Sequence, residues 1–231
     1  GSACCEVVRA AADDAWARLI EPSLEREIRK LGVDIHLNAA VTEVELDSRK
    51  PDAVILATGS VPFVPPIQGL SGGGAVLVDD VLEGRAPVGR RVAIIGGGAI
   101  GAETAHLLVE EEDREVYLIE MRDGIAVDLP QDARICLLHA FEQTPSLHQI
   151  TNAKVTAVTP ESITLERQGQ TEVVDRLDTI ILAVGARANQ GLRPALEALG
   201  IPFLVSGDAT GPKDYVKAIY EGFVAGNTIA E

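Results

Sequence analysis

Cysteine is scarce in this chain: Cys4, Cys5 and Cys136 are the only three. No two are spaced as Cys-x-x-Cys, so neither a zinc site nor a dithiol redox motif is expected. A [4Fe–4S] cluster needs four thiolates and is excluded. Cysteine usage this low fits a reduced, cytoplasmic setting. Aromatics are scarce as well, with one Trp, three Tyr and four Phe. Eight rings are too few for a base-stacking surface. Positive charge is in deficit: 20 Lys and Arg face 35 Asp and Glu, a net charge of -15. With no basic run to neutralise a phosphate backbone, nucleic acid is not an expected partner. No stretch of eighteen apolar residues exists, so no membrane span is expected. No basic start followed by an apolar run marks a signal peptide. The single methionine is Met121, so the chain lacks an initiator, and Gly1-Ser2 looks like a cleavage scar. The expectation is a piece of a longer protein.

What is present is a globular composition. Apolar residues make up 46% of 231 residues, enough for a real core in one large or two small domains. Leu19, Ile20, Leu24, Ile28 and Leu31 recur near helical spacing, predicting a helix within 5–31 that Gly32 ends. "VDIHL" (33–37) reads as a short strand, and "DAVILATG" (52–59) as a strand buried on both faces. Residues 60–75, rich in Pro and Gly, read as a connection. Residues 91–111 read as strand, tight turn and helix, 115–121 as a strand, and 130–143 as a helix. Short alternating strands fill 152–184, with Gly169 and Thr159-Pro160 supplying turns. A helix (192–199), a strand (203–208) and a helix from Asp214 to Glu231 close the chain. This alternation predicts an α/β fold: a Rossmann-like parallel sheet with crossover helices and a small antiparallel meander.

The strongest chemical signal is Gly96-Gly97-Gly98-Ala99-Ile100-Gly101, a G-x-G-x-x-G between the apolar strand "VAII" and a helix. Gly96 permits the tight turn. Gly98 lets the backbone approach a pyrophosphate, and Gly101 lets the helix pack on the sheet. The helix start then offers N–H groups and partial positive charge to phosphate. Glu120 lies 19 residues beyond Gly101, at the end of the next strand, where a carboxylate accepts from the hydroxyls of an adenine ribose. It would repel a 2′-phosphate, so NAD(H) is favoured over NADP(H). Arg122 could swing toward such a phosphate. Glycines that merely turn the chain, with Glu120 a solvated strand end, are the bland alternative.

Two further strands end alike, at Gly59 and Gly185, where the backbone can leave the sheet beneath something bulky. "VSGDAT" (205–210) places Asp208 after Gly207. Its carboxylate can accept from a polyhydroxylated ligand or cap the next helix. His36, His106, His139 and His148 are scattered and form no triad. Cys136 and His139 share a helix face without a completing pair, and Cys136 reads as core. Glu110 to Asp113 reads as a solvated helix end.

In their order, Ala57-Thr58-Gly59, Gly96 to Gly101 with Glu103, Ala183-Val184-Gly185 and Gly207-Asp208 resemble the two-dinucleotide-binding-domain flavoproteins, the pyridine nucleotide-disulfide oxidoreductase superfamily. "APVGRRVAIIGGGAIGAE" and "SGDATGPKDYVKAIYEGFVAG" are similar to the C-terminal half of the Old Yellow Enzyme-like NADH:flavin oxidoreductases. That branch includes 2,4-dienoyl-CoA reductase, enoate reductase and trimethylamine dehydrogenase. The resemblance spans roughly 33–231. It implies a partial FAD-type domain at 1–70 and 184–231 around an NAD(H)-binding domain at 71–183. Asp208 would contact the flavin's ribityl chain. Glu103, on the first turn of its helix, would face the nicotinamide or simply favour the helix dipole. No first G-x-G-x-x-G precedes Gly59, and the branch's N-terminal catalytic domain is absent. FAD therefore belongs to the intact protein and is in doubt for this chain. The implied function is the NAD(P)H-positioning region of a flavin-dependent oxidoreductase, inactive alone. The alternatives are a nucleotide-binding module without turnover, as the ADP of trimethylamine dehydrogenase illustrates, or an interaction domain that binds nothing.

Overall fold

The computed structural model describes residues 15–70, 73–110 and 113–229. Helix α1 (Ala15–Lys30) carries Arg29 and Lys30 in its last turn, where the helix dipole favours positive charge. Gly32 takes φ +68° beyond it, and its N–H donates to the Arg29 carbonyl. The predicted residues before Ala15 lie outside the described part. The chain then divides into two units, one centred on Val64–Gly185 and the other joining Ile28–Phe63 to Ala186–Glu231.

In the first unit, β3 (Val76–Leu77), β4 (Arg91–Ile95), β5 (Glu115–Ile119), β6 (Leu147–Ile150) and β10 (Thr179–Leu182) form one parallel sheet in the order β3-β10-β4-β5-β6. Helices α3 (Val78–Leu82), α4 (Ala99–Val109) and α5 (Gln131–Glu142) make the crossovers. Side chains alternate across a strand. On β4, Val92 and Ile94 therefore meet Ala102, Ala105 and Leu108 of α4 and Leu137 and Phe141 of α5. Ala93 and Ile95 face the other way, onto Val155, Ile163 and Leu165. Those three belong to an antiparallel meander, β7 (Ala153–Thr159), β8 (Ser162–Arg167) and β9 (Gln170–Val174). The sheet is thus covered on both faces, which is why β4 and β10 read as unbroken apolar runs. Gln168 and Gly169, both at positive φ, turn the β8–β9 hairpin.

In the second unit, β1 (Val54–Leu56) pairs in parallel with β12 (Phe203–Val205). β2 (Ser60–Pro62) pairs antiparallel with β11 (Ala186–Ala188). Helices α2 (Glu43–Arg49), α6 (Arg193–Leu199) and α7 (Tyr215–Ile229) complete the unit, with a 3-10 turn at Gly207–Thr210. Leu46, Leu56, Leu196, Ala209 and Ala225 form its buried apolar positions. Two expectations fail here. Residues 33–37 form no strand and leave Val33 and Leu37 exposed, because a strand needs a ladder partner and none of the described residues offers one. The 52–59 strand shrinks to three residues. Its Ile55 is 40% exposed, since only one neighbour flanks β1 and no layer covers that face among the described residues. Helix α2 adds an element beyond those expected, started by a reciprocal capping box between Thr42 and Glu45.

Candidate functional site

Gly96 leaves β4 with its N–H donated to the Ile119 carbonyl at 2.8 Å, which ties the turn to β5. Its φ is +107°, and a Cβ there would stand 2.4 Å from the Ala183 carbonyl oxygen beyond β10. Only glycine fits. At Gly101 a Cβ would stand 2.0 Å from the Gly96 oxygen, so α4 folds back directly over the turn. Gly98 is the N-cap of α4. The turn therefore lies at the carboxyl ends of β4, β5 and β10. The carboxyl ends of the strands are where an open α/β sheet binds its ligands.

Two carboxylates occupy this turn. Glu120 is 5% exposed; one oxygen accepts the Gly97 N–H at 2.7 Å, and the other accepts the Arg122 N–H at 2.8 Å and Nε at 3.1 Å. The predicted ribose carboxylate is thus engaged within the protein, and Arg122 is its ion-pair partner. Residues 121–130 fold over the turn. The Ala126 N–H donates to the Gly97 carbonyl at 2.7 Å, and Arg134 Nε donates to the Ile125 carbonyl at 2.8 Å. Asp128 Oδ1 accepts the Ala99 N–H at 2.9 Å, and its Oδ2 lies 3.2 Å from the place of a Cβ on Gly98. The helix start is expected to offer free N–H groups to a phosphate; those of Gly97 and Ala99 are held by side chains instead. Glu103 stands in the second turn of α4, not the first, because the helix begins only at Ala99. Partial burial, and after it the charge of Asp128, hold its carboxyl above the usual range.

The other predicted positions lie along the chain at and beyond the ends of the first unit. Gly59 (φ +70°) precedes β2 and Gly185 (φ +91°) precedes β11, so both leave their strands in a conformation that favours glycine. In the second unit Asn189 ties that crossing: its N–H donates to the Gly59 carbonyl, and its side-chain amide to the Thr58 carbonyl. Gly207 (φ +66°) donates its N–H to Glu221 on α7 at 2.9 Å. Asp208 accepts from Ser60 Oγ at 3.3 Å and from the Lys213 N–H at 3.2 Å. It does not cap α7. Asp214 does, accepting the Lys217 N–H at 2.8 Å.

Among the described residues no three His, Cys, Asp or Glu side chains gather as a metal site. His106 is buried edge-on to Phe141, His139 is exposed beside Glu142, and Cys136 is half-buried rather than core. Of the acidic run, Glu111 and Glu112 lie outside the described residues, and Asp113 pairs with Arg90 at 3.5 Å. Sequence reasoning missed a polar cluster at the amino ends of β4 to β6. Glu115 accepts from Tyr117 at 2.7 Å, contacts His148 at 3.0 Å and pairs with Arg91 at 2.7 Å. The Tyr117 hydroxyl is the largest influence holding the Glu115 carboxyl below its usual range. Desolvation opposes it, and His148 and Arg91 reinforce it. It lies at the strand ends opposite the glycine turn.

A parallel sheet carrying a glycine turn at the carboxyl end of a central strand, opening a helix, defines a nucleotide-binding Rossmann-like domain. A family model described as pyridine nucleotide-disulphide oxidoreductase matches residues 48–211, and the chain belongs to that family of flavoprotein oxidoreductases. It is 34% identical over 207 residues to the bilirubin reductase of Mediterraneibacter gnavus, covering 89% of this chain and 32% of that protein. It is 30% identical over 224 residues to an NADH oxidase of Thermoanaerobacter brockii, covering 94% and 34% respectively. A solved 2-naphthoyl-CoA reductase in complex with 2-naphthoyl-CoA superposes with a TM-score of 0.75 at 25% identity, over 86% of this chain and 30% of that one. The chain therefore spans about a third of the length of these relatives. No described helix is long and apolar enough to cross a membrane.

Proposed function

We propose that the chain is the nicotinamide-nucleotide-binding region of a flavin-dependent oxidoreductase of the Old Yellow Enzyme-like branch. Its catalytic domain would precede it in the whole protein. The observation that carries this reading is the turn Gly96–Gly101, set at the carboxyl ends of β4, β5 and β10 and opening α4. These residues fit a dinucleotide: the turn brings backbone close to the helix start with no Cβ between, and the helix adds partial positive charge. A bound nicotinamide would supply hydride chemistry to a flavin of the whole protein. Gly98, Ala99 and Ile100 would hold the pyrophosphate, and Glu103, one turn further along α4, would border the nicotinamide end. The residues present do not make a complete FAD site. Gly207 and Asp208 are one corner of such a site, and among the described residues no second glycine turn opens a helix after a strand. We therefore assign no redox step to this chain alone.

NADH is favoured over NADPH. A carboxylate has about four acceptor positions, and Glu120 uses three of them on Gly97 and Arg122. One remains for a ribose hydroxyl, whereas a 2′-phosphate would meet like charge. Arg122 would have to abandon Glu120 to help that phosphate. Isothermal titration of the chain with NADH, NADPH, ADP and FAD at one salt concentration tests the reading. NADH should bind well above NADPH, and Glu120→Ala should relax the preference. Equal binding of ADP and NADH would favour a nucleotide module without turnover. Binding of none of the four would remove the reading.

A further inference from the structure

The N-terminus of α4 already carries an anion, supplied by the chain itself. Asp128 Oδ1 takes the Ala99 N–H at 2.9 Å, and Oδ2 sits over Gly98. These are the backbone groups that a dinucleotide pyrophosphate needs if the turn binds as proposed above, and this inference rests on that reading. A carboxylate and a phosphate cannot both occupy the place, since they repel and compete for the same donor. We propose that Asp128 is a displaceable stand-in for the cofactor phosphate, an autoinhibitory contact that sets how tightly phosphate-bearing ligands bind.

The loop is built so that only its tip has to move. Ile125 and Ala126 are 2% and 0% exposed and are fastened to Arg134 and Gly97. Ala126 holds φ +52°, a left-handed conformation that a residue with a Cβ adopts only when its surroundings impose it. Val127 and Asp128, immediately beyond, are exposed. The anchor can stay buried while Asp128 rotates into solvent, so release costs one hydrogen bond and no core contact. Glu103 does not hold Asp128 in place: its carboxyl, raised first by burial and then by the Asp128 charge, is a like charge that the seated Asp128 already meets. Ligand affinity is then the intrinsic affinity reduced by the fraction of chains with Asp128 swung out.

The test is isothermal titration of the wild-type chain, Asp128→Asn and Asp128→Ala with NADH, ADP and adenosine in phosphate-free buffer. Asparagine keeps an oxygen to cap Ala99 but no charge, so the variant should fold as the wild type does, checked by its melting temperature. Asp128→Asn should bind NADH and ADP about tenfold more tightly, a gain of about 1.4 kcal/mol. Adenosine, which lacks phosphate, should gain nothing. Asp128→Ala, which vacates the donor altogether, should bind NADH at least as tightly as Asp128→Asn. If the wild type binds NADH and Asp128→Asn binds it equally or less well, Asp128 is only a helix cap and the inference falls while the site stands. An equal gain for adenosine would also overturn it, because the effect would not act on phosphate. If no variant binds any of the three ligands, the glycine-turn reading itself falls, and this inference with it.

Discussion

Glu120 reaches from the end of β5 to the glycine turn and accepts the Gly97 N–H at 2.7 Å. The carboxylate proposed to hold a ribose is therefore also a structural acceptor. Removing it leaves a buried donor without a partner, which costs about 1–3 kcal/mol. Glu120→Ala should lower stability by that amount in urea unfolding. Glu120→Gln, which keeps an oxygen for Gly97, should cost less. An alanine variant as stable as the wild type would mean that water replaces the carboxylate freely at this position.

Gly101 and Gly226 are both helical glycines with opposite expected responses. A Cβ at Gly101 would stand 2.0 Å from the backbone oxygen of Gly96, while at Gly226 on α7 nothing lies within 4 Å. Gly101→Ala must therefore move α4 off the turn, and we expect both a large loss of melting temperature and loss of NADH binding. Gly226→Ala should be neutral or stabilising by up to about 1 kcal/mol, the helix propensity gained. Equal melting temperatures for the two variants would contradict the close approach of α4 to its own turn.

Two carboxyls should give opposite pH signatures. Glu115 has its folded pKa lowered below 4.5, chiefly by the Tyr117 hydroxyl. Its contribution is present above the ordinary value and is lost as pH falls through the folded one. Glu115→Gln should flatten the acid limb of melting temperature against pH below about 4.5. Glu103 has its folded pKa raised above 4.5 by burial and by Asp128. Its ionised form is disfavoured in the folded state, so Glu103→Gln should raise the melting temperature near pH 7 and make no difference at pH 3. The same sign of change for both variants would remove the assigned causes.

The parallel sheet was legible because its signals are local. An apolar run, a glycine turn and a helix follow one another within 91–109, and each step has a backbone reason. The strand at 33–37 misled because a strand is completed by a partner, and the alternation of Val33, Ile35 and Leu37 carries no information about one. In the meander, Val155 and Val158 both point inward although they are three apart, because the register shifts between Val155 and Ala157. A bulge of this kind has no composition signal. The short helix at 43–49 does have one, the capping box Thr42-x-x-Glu45. At the site, the glycines and Glu120 could be picked out by spacing. Asp128 could not, since it reaches Ala99 across 29 residues of sequence, and nothing in "VDLP" distinguishes it from any loop aspartate.

The two faces of the parallel sheet should prove equally structural. Ile94 on β4 faces the helices and Ile163 on β8 faces the sheet from the meander; both are 0% exposed. Truncating either removes apolar surface from a closed environment and leaves a cavity, at about 2–5 kcal/mol for Ile→Ala. If the meander were a loose addition, Ile163→Ala would release it alone, and the helix–sheet layer would unfold at its usual midpoint. With Ile163 packed in the same cluster as Ala93 and Ile95, the loss must instead pass through β4. We therefore expect Ile94→Ala and Ile163→Ala to lower the same urea transition by similar amounts, followed by far-UV circular dichroism. An early, separate loss of β signal in Ile163→Ala would show that the meander folds apart from the sheet it covers.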